Sequence, residues 1–159
     1  MGGRIGNVVK PNMAEDAVIN ALESQVDCYR RLARLAELQH EHVQQSRTEG
    51  LLQVLGQRHA VLEEVATLEA TIAPARRSWT RFASELPHGQ RRRAELLLAE
   101  SRRLLEFITA ADRDDAMVLQ QQKLTVSKAL NQAASARQVN RTYATAAYGR
   151  REPTMDVRR

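Results

Sequence analysis

Residues 22–43 read LESQVDCYRRLARLAELQHEHV, and the reading of this stretch decides the fold. Leu22, Val26, Tyr29, Ala33, Ala36, His40 and Val43 advance by alternating steps of four and three, which draws a seam along a helix that packs against other helices. Leu32, Leu35 and Leu38 widen the stripe, and Cys28 stands beside it as a small apolar residue. Alanines and a histidine within the seam point to a bundle helix rather than a self-sufficient dimeric coiled coil.

Working outward, Asn12 and Glu15 have the spacing of a capping box, with Asp16 a second acid in the first turn, so the helix is expected to begin there. Ser46 and Glu49 repeat that spacing and predict a second helix from about residue 48, with Leu51, Leu55, Leu62, Val65, Leu68 and Ile72 on its apolar side. Pro74 is expected to kink or break it, because proline denies the carbonyl of Ala70 its hydrogen bond. Trp79, Phe82 and Leu86 supply a bulky end layer, and Pro87-His88-Gly89 reads as a turn. A third helix is predicted from about Gln90, with Leu97, Leu104, Ile108, Ala111 and Val118 on one face. Neither proline nor glycine interrupts it before Gly149, so an unbroken helix would span roughly 89 Å against roughly 52 Å for residues 12–46. The acidic run DRDD at 112–115 reads as helix surface.

The expected class is therefore all-α: an antiparallel three-helix bundle with an extended C-terminal helix. Four prolines and seven glycines in 159 residues fit long helices, and no strand-like alternation occurs. The predicted organisation is a flexible arm at 1–11, a bundle body at 12–115, a partner-binding helix at 116–149 and a basic tail at 150–159. One cysteine, no apolar run of about 18 residues and no signal-like start point to the cytoplasm, without stable membrane insertion.

Charge is unevenly spread. Residues 1–45 carry 5 basic and 6 acidic side chains, 46–89 carry 5 and 5, 90–115 carry 6 and 6, and 116–159 carry 8 and 2. The excess of the formal +5 thus lies in the C-terminal stretch, where a nucleic-acid tail is one reading. The shortness and alanine content of that stretch argue against nucleic acid. Leu119, Val126, Leu130, Ala133, Tyr143 and Ala147 instead form a sparse apolar stripe among Lys123, Lys128, Arg137 and Arg141, as suits coupled folding and binding to another helix. Tyr143 and Tyr148 either serve that surface or fold back on the bundle's end.

No catalytic chemistry is legible. His40 and His42 are two residues apart, which points them to different sides of a helix, whereas chelation needs three or four. His59 and His88 have no paired ligand, and Glu63–Glu64 and Asp114–Asp115 read as solvated charge. QRRRAE at 90–95 is a basic helix start balanced by Glu95 and Glu100, and neither a phosphate loop nor a nucleophile elbow is present. The expectation is a protein that is not an enzyme, needs no cofactor or metal and has no small-molecule substrate.

The stretch SRTEGLLQVLGQRHAVLEEVATLE at 46–69 resembles the middle of the FlgN-type flagellar export chaperones, with Glu49, Leu51, Leu52, Leu55, Arg58, Leu62 and Val65 in the family's leucine-rich pattern. LQQQKLTVSKALNQAASARQVNRTYATAAYG at 119–149 is similar to the family's ending, with Tyr148-Gly149 at its motif. Trp79 with Pro74 and the basic tail depart from it. The resemblance implies a cytoplasmic type III export chaperone for hook-associated flagellar proteins, those of the hook–filament junction. It implies client contact on Leu119, Val126, Leu130, Val139 and Tyr143, and contact with the export-gate cytoplasmic domain through Tyr148. The rival is a structural coiled-coil adaptor that oligomerises through the first seam at Leu22 and Val26.

Overall fold

The computed structural model describes residues 13–149. It is all-α, with no strand among the described residues: α1 is Met13–Gln44, α2 Thr48–Arg77, α3 Trp79–Glu85 and α4 His88–Gly149. The flexible arm, the Asn12 cap and the basic tail expected from sequence lie outside the described residues. The chain divides into two compact units, Met1–Ala116 and Met117–Arg159.

In the first unit, α1 buries Val18, Leu22, Gln25, Tyr29, Leu32, Ala36, Gln39 and Val43, an unbroken alternation of four and three. Ile19, Val26 and Cys28 lie beside this track, so α1 faces neighbours on two sides. Most of the predicted seam is buried, but His40 is exposed and Gln39 takes the inward position. Leu22 and Val26 are 0% and 1% exposed and packed within the chain's own clusters, so the seam offered for an oligomeric adaptor is already filled. Burying a leucine or valine of this kind is worth about 1.5–3 kcal/mol.

α2 presents Val54, Val61, Ile72 and Ala75 inward, with Val65 and Leu68 half-buried. The stripe is rotated from the expected one: Leu55 and Leu62 are exposed, because Val54 and Val61 keep step with the half-buried Arg58, Val65 and Leu68. Pro74 does not end the helix, which runs on to Arg77. Proline there removes one donor, and the following Ser78 leaves helical geometry at φ −124° and ψ 45°. Trp79 and Phe82 then pack on the Val18–Ile72–Leu86 cluster, their ring centroids 5.4 Å apart, forming the expected end layer.

Two boundary readings are corrected. Ser46 does not cap α2. It has φ 52°, its amide donates to the Val43 carbonyl, and Arg47 donates to that of His42, the paired bonds of a Schellman ending to α1. Arg47 is the N-cap of α2, without a side-chain cap bond. The turn after α3 is also shorter than expected, since α4 starts at His88 and the Pro87 carbonyl accepts from Arg91.

The helices meet in an ordered series. Gln25, Arg31 and Gln39 of α1 contact Glu69, Glu64 and Arg58 of α2, numbers rising against numbers falling. Asp16, Glu23, Arg30 and Gln39 contact Gln90, Arg93, Glu100 and Asp115 of α4, both series rising. Ala94, Leu104 and Ile108 of α4 join the two buried clusters.

In the second unit, α4 continues as helix to Gly149, and every residue from Lys123 to Gly149 is exposed. No described helix is long and apolar enough to cross a membrane.

Candidate functional site

Within the first unit the heptad pattern of three helices carries polar residues at one level. Gln39 lies on the buried track of α1, Arg58 between Val54 and Val61 on α2, and Asp115 seven residues beyond Ile108 on α4. Arg58 grips Asp112 with both terminal nitrogens, at 2.6 and 2.7 Å, and also donates to Gln39 Oε1 at 2.5 Å. Gln39 Nε2 donates to Asp115 Oδ2 at 2.9 Å, and His40 Nδ1 meets Asp115 Oδ1 at 2.7 Å. A bidentate guanidinium–carboxylate pair is the strongest of these contacts, and it raises the Arg58 guanidinium above its ordinary value. DRDD is therefore not simply helix surface. Asp115 is 1% exposed, and its acceptors are engaged from α1. The layer ties α1, α2 and α4 together.

A second polar layer lies toward the other end of the unit, where Gln25 donates to Glu69 at 2.9 Å and Arg76 Nε donates to the same carboxylate at 2.9 Å. Sequence reading misses both layers: it places Asp112 and Asp115 on the helix surface and gives Gln25 and Gln39 no inward position. The signal is their spacing: Gln25, Gln39, Arg58 and Asp115 lie seven residues after Val18, Leu32, Leu51 and Ile108. His42 packs on the turn between α1 and α2, where its ring fills the space beside Gly50 and its Nδ1 is buried without a hydrogen-bond partner among the described residues. Burial, then the Glu64 carboxylate, pushes the Cys28 thiol up, which keeps it protonated and unreactive.

The residues implied as client-binding lie on the second unit. Leu119 is 39% exposed, Val126 58%, Leu130 65%, Val139 52%, Tyr143 73%, and the gate candidate Tyr148 78%. At about 100° per residue, Leu119, Val126, Leu130 and Tyr148 fall within about 40° of one another. Val139 falls on the far side of the helix, about 60° from Leu124, and Tyr143 lies about 100° from both Leu124 and Val126, so the helix does not bring the five client residues onto one stripe. Lys123, Arg137 and Arg141 flank the Leu130 side, and Lys128 the other. Of the leucines that carry the family-like pattern on α2, Leu52, Leu55 and Leu62 are exposed.

Comparison with family models, with curated proteins and with solved structures finds no match.

Proposed function

We propose that the protein is a cytoplasmic flagellar export chaperone whose C-terminal helix holds the C-terminal helices of hook-associated proteins before export. In this reading α1, α2 and the first part of α4 form an antiparallel three-helix bundle, and the third helix extends into the binding segment. The ordered series of contacts between these helices supports the bundle. One observation carries the functional reading: large apolar side chains from Leu119 to Tyr148 are exposed on a helix that is otherwise alanine-rich and cationic. Such a surface gains most by burial against a partner helix, and its Lys and Arg flanks favour an acidic partner surface. Leu119, Val126 and Leu130 make the principal client stripe, with Val139 and Tyr143 engaging a part of the client outside that stripe. Tyr148 shares the Leu130 side about 27 Å further along, far enough to serve a separate gate contact. No cofactor enters this mechanism.

The test is co-expression with the hook–filament junction proteins of the same genome, followed by affinity capture and size exclusion. Co-elution that Leu130→Asp abolishes and Tyr148→Ala preserves, with export impaired in the latter, is the expected result. Capture that survives Leu130→Asp would remove the site, and absence of capture by the unaltered chain would remove the function.

A further inference from the structure

A trough of about 800 Å³ runs along the first unit, floored by Gln25 and Tyr29 of α1 and walled by α2 and α4. On α4 the lining residues recur at every third and fourth position from Leu98 to Arg113, a complete helix face about four turns, or about 22 Å, long. On α2 they are Glu69, Ile72 and Arg76, again at steps of three and four, and Trp79, the first residue of α3, continues that wall. Two helix faces above a third helix form the shape into which a fourth helix packs in a four-helix bundle. A compact ligand would use only part of that length.

The chemistry of the walls narrows the occupant. Ile72, Trp79, Leu98 and Leu105 supply apolar surface, and Leu105 is 41% exposed although it lies on the lining face. Ser101, in the same wall, has a buried Oγ with no hydrogen-bond partner among the described residues. Arg76 is engaged by Glu69, but Arg102 and Arg113 have no ion pair among the described residues, against one unpaired carboxylate, Glu106. The rim is therefore net positive. The C-terminal helix of a second copy is a poor match, because residues 117–149 contain Lys123, Lys128, Arg137 and Arg141 and no acid.

We propose that this trough docks an amphipathic helix of another protein, apolar along the face it inserts and acidic along the edge that meets Arg102 and Arg113. The proposal goes beyond the export reading, since it uses none of residues 117–149. Trp79, the chain's single tryptophan, lines the trough, so its emission reports occupancy. The full chain is titrated with two synthetic 18-residue helical peptides that share a Leu/Ala face, one edged with Glu and the other with Lys. The Glu-edged peptide is expected to shift Trp79 emission to the blue and to bind at least about 10-fold more tightly than its counterpart. Arg102→Glu with Arg113→Glu, both at exposed positions, is expected to reverse the order without changing the circular dichroism melt. Equal binding of the two peptides, no emission change, or an order that survives the charge reversal would overturn the proposal. So would a blue shift produced by dodecanoate that neither peptide displaces, which would make the trough a small-molecule pocket.

Discussion

Asp115 Oδ1 lies 2.7 Å from Nδ1 of His40, while Asp115 Oδ2 accepts from Gln39 at 2.9 Å. A carboxylate that is 1% exposed thus spends both oxygens on two consecutive residues of α1. Removing it leaves Gln39 short of an acceptor in a buried layer, which costs about 1–3 kcal/mol. Asp115→Ala is expected to lower unfolding stability by about 2 kcal/mol, and Asp115→Asn, which keeps one acceptor oxygen, by about half as much. Urea denaturation measures both; a loss in the alanine variant below about 0.5 kcal/mol would show that the layer is not needed to hold α4 on α1.

Two glycines of α2 are expected to respond oppositely to the same change. A Cβ at Gly56 meets nothing within 4 Å, so Gly56→Ala is expected to stabilise by about 0.5–1 kcal/mol through helix propensity and unfolded-state entropy. A Cβ at Gly50 runs into the His42 ring, so Gly50→Ala is expected to destabilise by about 1–3 kcal/mol unless His42 is also shortened. Thermal melts of Gly50→Ala alone and with His42→Ala check the cause: the second change restores stability if the collision is responsible.

Ser46 occupies a left-handed conformation at φ 52°, the position after a helix where glycine is favoured. Ser46→Gly is expected to stabilise by about 0.5–1 kcal/mol, and Ser46→Val to destabilise by about 1–2 kcal/mol. A stabilising valine variant would contradict the assignment of this residue to the end of α1.

Much of the fold was legible because apolar side chains at heptad spacing leave few alternatives: Leu22, Val26, Tyr29, Ala36 and Val43 are buried as their spacing required, and α2 starts at Thr48. The errors share a physical origin. A serine three residues before a glutamate has the same letters whether it caps the next helix or closes the previous one, and only backbone dihedrals distinguish the two at Ser46. Gln39 and His40 are adjacent, and the choice between them depends on Arg58 and Asp115, which are 19 and 76 positions from Gln39. The stripe drawn through Leu130 and Tyr143 fails because thirteen residues separate the two, a spacing that puts Tyr143 about 140° around the helix from Leu130.

Glu69 supplies a pH dependence with a definite sign. Burial pushes its carboxyl up, but the hydrogen bonds from Gln25 and Arg76, together with the Arg76 charge, outweigh burial and hold it below its ordinary value. A depressed carboxyl contributes stability that is complete above its unfolded value and is lost as pH falls through the folded one. The contribution is therefore present at neutral pH and disappears on acidification below about pH 4. Its side chain is 39% exposed, so solvent screening limits the effect to less than about 1 kcal/mol. The stability difference between the unaltered chain and Glu69→Gln is expected to narrow between pH 7 and pH 3, and a gap that widened would invert the assignment.

Amide exchange separates the two units. Residues 123–149 bury no side chain, so their helix has only propensity to hold it, whereas Leu22 and Leu32 sit in the core. Amides of 123–149 are expected to exchange at least about 100-fold faster than those around Leu22 and Leu32. A partner bound on the Leu130 side is expected to slow them, and equal protection without any partner would contradict the exposure.

The buried glutamines of α1, Gln25 and Gln39, stand two heptads apart and address acids on different helices, Glu69 and Asp115. Apolar layers cannot count: slide α1 by seven residues and leucine still meets leucine. The same slide in one direction sets Leu32 against Glu69, and in the other sets Leu32 against Asp115. A slide of fourteen satisfies one acid and abandons the other. The two polar layers thus work as a vernier, giving three otherwise interchangeable helices a single alignment at some cost in stability.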